Sequence, residues 1–349
     1  MQTNKYYHFL PSSVFCFLLF AFCLLFSTIT SKAQTTTSDM HLQGNISKLS
    51  VYKHVATNIV IENNMVISYE KGRLMHQVEY IFDKEGLLLA ENKFDNRGVI
   101  AMSYIYEYDA FGRLIDKTIA KAGKYLEERT EYQYDKDGKK IKEIVYNDKD
   151  SLKTTTIYKY DSLGNLISEK LYNLSNRLVK DIYYQHDAKG NIIFINSVKV
   201  PLIFKPLPYQ AIQKFNSNNK LIYKSYTEQD TLKWEYFATY NKKDSLTYEE
   251  VKDANEKRLS CSQLTFNKKN QRIVLKQYHQ LTGEIGMETY YQYDKKGKLF
   301  VEKVCASNKK EPLIIRTYYY DEKNNWIYCV EEDMVKNENI IYYRRIIYR

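Results

Sequence analysis

From about residue 75 onward the chain alternates aromatic and polar positions with a period of two, the pattern of strands with one apolar face, and no segment shows helical periodicity of any length. The alternation is punctuated at regular intervals. An aromatic-rich strand ends in Asp or Asn, two residues follow, then a residue tolerant of positive φ, then, beyond it, an apolar residue. Ten copies read YIFDKEGLL, YEYDAFGRL, YQYDKDGKKI, YKYDSLGNL, YQHDAKGNI, QKFNSNNKL, ATYNKKDSL, LTFNKKNQRI, YQYDKKGKL and YYYDEKNNW. The turn-opening residues are Asp83, Asp109, Asp135, Asp161, Asp187, Asn216, Asn241, Asn267, Asp294 and Asp321, at successive spacings of 26, 26, 26, 26, 29, 25, 26, 27 and 27.

The unit predicts a hairpin. Asp or Asn opening a type I turn accepts a hydrogen bond from the backbone two residues on, and the fourth position must then adopt left-handed φ to close a bulged hairpin. Gly86, Gly112, Gly138, Gly164, Gly190, Asn219, Asp244, Asn270, Gly297 and Asn324 fill that position. These are the residue types that reach the conformation at least strain. Pairing across the turn sets the residue before the Asp opposite the residue five after it, as in Tyr108 with Leu114, Tyr160 with Leu166, Tyr293 with Leu299 and Tyr320 with Trp326. Lys140 and Arg272 depart from this pattern and shift an Ile one place on. A second aromatic two residues upstream (Tyr80, Tyr106, Tyr132, Tyr158, Tyr291, Tyr318) shares the face, and Glu107, Gln133, Lys159 and Gln292 take the other.

The expected fold is therefore all-β: a long antiparallel meander of about 20 strands, two for each of ten 26-residue hairpin repeats, forming a single twisted or curled sheet. Residues 34–74 form an N-terminal strand region, 75–199 a first run of repeats, and 211–349 a second run. Between the runs lies the Pro-rich stretch 200–210, where proline's missing donor predicts an interruption or edge.

Composition agrees with this picture. Gly and Pro number 17 in 349 residues, which removes collagen-like and Pro/Gly-rich disordered classes, and 34 of the 51 aromatics are Tyr, a strand-favouring residue. The N-terminus reads as a signal peptide over residues 1–33: Lys5, a 13-residue apolar run from Val14 to Phe26, and small residues at Ser31-Lys32-Ala33. A run that short falls below the roughly 20 residues of a membrane-spanning helix. The expected product begins at Gln34 and is extracytoplasmic: periplasmic, surface-attached or released. It carries 50 Lys plus Arg against 42 acids, a net +8.

The Y-x-Y-D-x-x-G-[RKN]-L signature resembles the YD repeat of the Rhs family, and the 26-residue form behind a signal peptide is similar to secreted repeat proteins of Bacteroidetes. The resemblance covers about residues 75 to 335. In large Rhs proteins such repeats form a spiral β-sheet shell around a toxin, so the resemblance implies the sheet and an extracytoplasmic setting. No core segment comparable to theirs is present here, and the strands are too few to enclose a toxin.

Chemistry-bearing motifs are sparse. Asp135 and Asp137 in DKDG lack the further ligands and flanking helices of an EF-hand. His41, His54, His76, His186 and His279 are scattered over separate strands, and no His or second Cys lies within two to four residues of Cys261, Cys305 or Cys329. Phosphate-binding glycine loops, nucleophile elbows and His-Glu metal motifs do not occur. No cofactor and no enzymatic activity are expected, and the intermixed Lys and Glu along the strands argue against a nucleic-acid partner. A transmembrane barrel would need an apolar lipid-facing band, whereas Lys159, Glu169 and Lys170 fall on both faces.

The reading that results is a non-enzymatic scaffold at the cell surface with a polysaccharide or surface-protein ligand; the alternative is a component related to an Rhs-type toxin system. The candidate binding residues are Tyr106, Tyr108, Tyr132, Tyr134, Tyr158, Tyr160, Tyr293 and Tyr320. If the sheet curls around them they form a core. If it stays open they form a ladder at strand spacing, suited to stacking on an extended ligand.

Overall fold

The computed structural model describes residues 35–349 other than 123, 199–207, 281, 308 and 310. The expected leader, 1–33, and most of the Pro-rich stretch lie outside the described residues. The rest is one antiparallel sheet of 22 strands. Strands β3 (Leu88–Phe94) to β21 (Trp326–Asp333) each pair with their chain neighbours, and the sequence begins and ends with β1 (Ile46–Glu62), β2 (Met65–Phe82) and β22 (Glu338–Tyr348). Twenty of these strands are the two arms of the ten hairpin repeats. The remaining two, β1 and β22, carry no turn signature and pair with each other, from Ile46 opposite Tyr348 to Ala56 opposite Asn339.

That pairing corrects the expected open meander: the sheet closes into a barrel. Closure removes both free edges and the unpaired N–H and C=O groups they would present. It is sealed by apolar side chains at the joint, with Ile46, Leu49 and Ile341 essentially inaccessible. Leu49 packs with Phe82, Leu88 and Leu42, and half-buried Tyr106 and Ile346 lie against them. Polar contacts add a clasp. Asn325 accepts from the Gln43 N–H and donates to the Gln43 carbonyl, while Arg349 donates to the Ile46 and Phe82 carbonyls.

The signature turns have the predicted backbone, and in seven of the ten the opening side chain accepts from the N–H two residues on. Asp109 Oδ1 accepts from the N–H of Phe111 and of Arg113, both at 2.9 Å, and Gly112 closes the turn at φ 75°. All ten fourth-position residues have positive φ, from 58° at Asp244 to 89° at Gly164. Sequence reasoning missed that four return turns at the opposite end follow the same rule. Asp95, Asn147, Asn173 and Asp253 open them, and Gly98, Asp150, Asn176 and Glu256 close them at φ 78°, 55°, 56° and 62°. The signal was present in DNRGV, NDKDS, NLSNR and DANEK.

At the Pro-rich stretch the sheet runs on. Phe194–Ser197 of β11 (Ile192–Val198) pairs with Tyr209–Ile212 of β12 (Tyr209–Phe215), so the longer repeat spacing there is a longer connection between paired strands and not an edge. The β1–β2 hairpin is far longer than the others, and register shifts at Lys53/His54, His54/Ala56, Thr57/Val60 and Val60/Ile61 let it bend. Its distal half lies against the sheet, where Ala56 and Val66 bury Tyr319, Val330 and Ile341.

Candidate functional site

The predicted cross-turn pairs all occur: Tyr108 opposite Leu114, Tyr160 opposite Leu166, Tyr293 opposite Leu299 and Tyr320 opposite Trp326. Each is followed by a register shift, a bulge that interrupts the ladder beside the plus-five residue. There the tyrosine of the next repeat enters. The hydroxyls of Tyr108, Tyr134, Tyr160, Tyr240, Tyr293 and Tyr320 donate to the carbonyls of Leu88, Leu114, Lys140, Leu221, Arg272 and Leu299, at 2.7 to 2.9 Å. Every acceptor is the plus-five residue of the preceding hairpin. All six repeats with Tyr before the turn make this bond.

A second layer lies two residues away along the strands. Tyr158, Tyr184 and Tyr318 donate to the carboxylates of Glu143, Glu169 and Glu302, each eight residues past the opening Asp of the hairpin before. Arg316 joins Glu302 to Glu331, with Nε 2.6 Å from the Glu331 carboxylate. Lys140 and Arg272, the two departures from the apolar plus-five rule, point to the same face. Lys140 Nζ lies 4.4 Å from the centre of the Tyr158 ring, and the Arg272 guanidinium 4.4 Å from that of Tyr291, so cation–π contact replaces aliphatic packing.

This tyrosine face is the inner one. Burial pushes the phenols of Tyr108, Tyr209 and Tyr320 on this face up to about 12 and those of Tyr106, Tyr132 and Tyr158 further. It also brings the Lys224 ammonium down to about 8 and the Arg344 guanidinium to about 10. On the other face, Glu107, Gln133, Lys159 and Gln292 are exposed, and the shift of Lys170 is set first by its hydrogen bond to Asp181, and that of Lys276 by its bond to Glu288.

All eight candidate tyrosines share this inner face and all eight are half-buried. Arg113 lies over Tyr134, Lys139 over Tyr160, Lys298 over Tyr320 and Lys140 over Tyr132 as well as Tyr158. Of the two arrangements open to the aromatic face, the closed sheet produces the one in which the rings line an interior. Their hydroxyls serve as hydrogen-bond donors to main-chain carbonyls and carboxylates. Among the described residues, no group of three or more His, Cys, Asp or Glu is placed to hold a metal ion. Cys261, Cys305 and Cys329 are unpaired by disulfide and buried on their strands.

No family model matches the sequence, and no curated protein is significantly similar to it. Several solved structures are similar at low identity. The TcdB2-TccC3-Cdc42 crystal structure matches over 88% of this chain and 16% of its own, at 16% identity and a TM-score of 0.48. The Photorhabdus luminescens Tc holotoxin pore with a mutated TccC3 matches over 82% of this chain and 15% of its own, at 16% identity and a TM-score of 0.45. A porin-like protein from Bacteroides uniformis is covered over 99% of its length and 87% of this chain, at 9% identity and a TM-score of 0.30. The chain thus spans a small part of the toxin chains and nearly all of the porin-like one.

Proposed function

We propose that the chain is a non-enzymatic, extracytoplasmic repeat scaffold whose partners meet it at its turn-bearing ends and outer wall. The observation that carries this reading is the use to which the inner tyrosines are put. Repeat after repeat, the hydroxyl binds the preceding hairpin's main chain, so the most recurrent side chain in the unit holds the wall together.

The outer wall supports a protein bathed in water. Arg129 bridges Asp116 and Glu131 there, Lys170 pairs with Asp181, and Lys276 with Glu288. A lipid-facing wall disfavours such groups, by about 2–4 kcal/mol for each Lys or Arg at the bilayer midplane. The basic start, apolar run and Ser31-Lys32-Ala33 site support export.

Fractionation with mass spectrometry of the native protein tests the reading: an extracytoplasmic form starting at or near Gln34 is expected, and an abundant cytosolic form with Met1 intact rejects it. A second reading, kinship with Rhs-type toxin delivery, is favoured by closure of the sheet around an interior. It predicts that the native protein co-purifies with a toxic polypeptide.

A further inference from the structure

All ten signature turns project from one end of the barrel, because each joins an ascending strand to the next descending one. In a type I turn the second and third positions accept almost any residue, so backbone geometry leaves their identity free. At those two positions the turns opening at 216, 241, 267 and 294 hold six lysines and no acid, against four lysines and three acids in the other six turns, and the contrast widens over the whole turns. The four successive turns 216–220, 241–245, 267–271 and 294–298 hold eight lysines against Asp244 and Asp294, a net +6. The other six turns hold six cations against nine acids, a net −3.

The opening residue follows the same division. It is Asp in all six of the other turns and Asn in three of these four. Asn241 serves its turn as Asp109 does, accepting from the N–H of Lys243 and of Ser245, so the exchange removes negative charge without altering the turn. Lys242, Lys243, Lys268, Lys269, Lys295 and Lys296 are exposed, and none forms an ion pair among the described residues. On the same end, at the third turn position of two further hairpins, Phe111 and Leu163 are 84% and 86% exposed.

We infer that this end of the barrel docks on an anionic lipid surface. Successive hairpins stand two strand spacings, about 10 Å, apart along the rim. The lysine pairs therefore form a broad arc of cations, and two apolar tips stand on another part of the same rim. A plane of negative headgroups meets both at once, drawing the lysines electrostatically and accepting Phe111 and Leu163 at its boundary. A thin acidic polymer would follow the arc alone and leave the apolar tips without a role. The docking goes beyond the scaffold reading and holds whether or not the compartment assigned above is correct.

Sedimentation of the full chain with vesicles tests it. Vesicles of equal parts phosphatidylglycerol and phosphatidylcholine should bind at least roughly tenfold more protein than phosphatidylcholine alone, and salt should weaken the binding. Replacing Lys242, Lys243, Lys268, Lys269, Lys295 and Lys296 by Gln should lower binding about tenfold or more, with the melting temperature unchanged. Lys149→Gln with Lys257→Gln, exposed at the opposite end, should leave it unaltered. A polarity-sensitive fluorophore on Leu163→Cys should shift to the blue on the mixed vesicles. With Cys16→Ser and Cys23→Ser in the same chain, the remaining native cysteines, Cys261, Cys305 and Cys329, are buried, which makes that labelling selective. Equal binding to neutral vesicles, or full binding by the six-lysine variant, overturns the inference. So does displacement by a polyuronate or a single-stranded oligonucleotide with the Leu163 probe unshifted, which would reassign the arc to that polymer.

Discussion

The hydroxyl of Tyr160 donates to the main-chain carbonyl of Lys140, twenty positions back, at 2.8 Å. Tyr134 does the same to Leu114, also twenty positions back. The bond spans two successive hairpins at the bulge where the ladder between the arms of the earlier one is broken, so it ties repeats together where the backbone alone does so least.

Tyr160→Phe and Tyr134→Phe keep the ring and remove the donor. Each should destabilise by about 0.5–1.5 kcal/mol in urea unfolding, and the double variant by nearly the sum. Unchanged midpoints would show that the carbonyls find other partners and that the tyrosines act through their rings alone.

Gly164 closes its turn at φ 89°, a conformation that β-branched side chains resist. Gly164→Val should destabilise by roughly 1–3 kcal/mol. Gly164→Asn should do so far less, because Asn270 and Asn324 occupy the equivalent place at φ 64° and 70°. Equal losses for Val and Asn would locate the requirement in space rather than in φ; the nearest atoms to a new Cβ are the mobile end of Lys139.

High pH should unfold the protein cooperatively. The folded phenols of Tyr108, Tyr209 and Tyr320 titrate at about 12, against an ordinary value of 10. The unfolded chain therefore loses protons first as pH rises past 10, and stability that is full below that point falls away towards pH 12. Tyrosinate absorbance should appear in step with the loss of the β-sheet circular dichroism signal. Ionisation completed before any loss of the sheet would contradict the burial of these rings.

The joint between the first and last strands should be a sensitive place. Leu49 is fully buried there, and Leu49→Ala should cost about 2–5 kcal/mol, whereas Ile157→Ala on the outer wall should stay within about 0.5 kcal/mol. A Leu49 variant that opens the joint bares two strand edges and should self-associate, visible by size-exclusion chromatography.

Thiol accessibility provides a further check. Burial pushes the Cys329 thiol up to about 12 and raises that of Cys261. Cys261, Cys305 and Cys329 should react with a thiol reagent only in denaturant. Rapid reaction of any of them in the native state would place it outside the packed wall.

The hairpins were legible because their information is local. Tyr108 meets Leu114 because five turn residues fix both the reversal and the register, and the Gly, Asn and Asp at the fourth position announce the backbone that does it. What joins Ile46 to Tyr348 is not local: no turn links them, neither strand carries the repeat's signature, and closure depends on curvature accumulated over all the strands between. Lys140 and Arg272 misled for a related reason. A charge in a strand pattern suggests the wet face, yet here rings contributed by other hairpins receive it. The candidate tyrosines were rightly grouped on one face, but their hydroxyl acceptors lie in the preceding repeat and follow from the offset between hairpins, which composition does not reveal. The lysine arc was hidden by averaging, since a net +8 over the expected mature chain conceals a rim with oppositely charged sectors.

Pairing between sequence neighbours also shapes how the chain can reach this state. Every strand but two pairs only with strands adjacent in sequence, so nearly every pairing joins neighbouring strands and the wall can grow hairpin by hairpin from any point. The single exception, β1 with β22, joins residues some three hundred positions apart. Loop-closure entropy rises only about 0.6 kcal/mol for each doubling of the loop, and once the intervening strands have assembled into a curved wall the ends no longer search as free coil. Formation of the ring thus has one slow, late event, the meeting of two preformed edges. Until it occurs, those edges are the part of the molecule most open to a second chain.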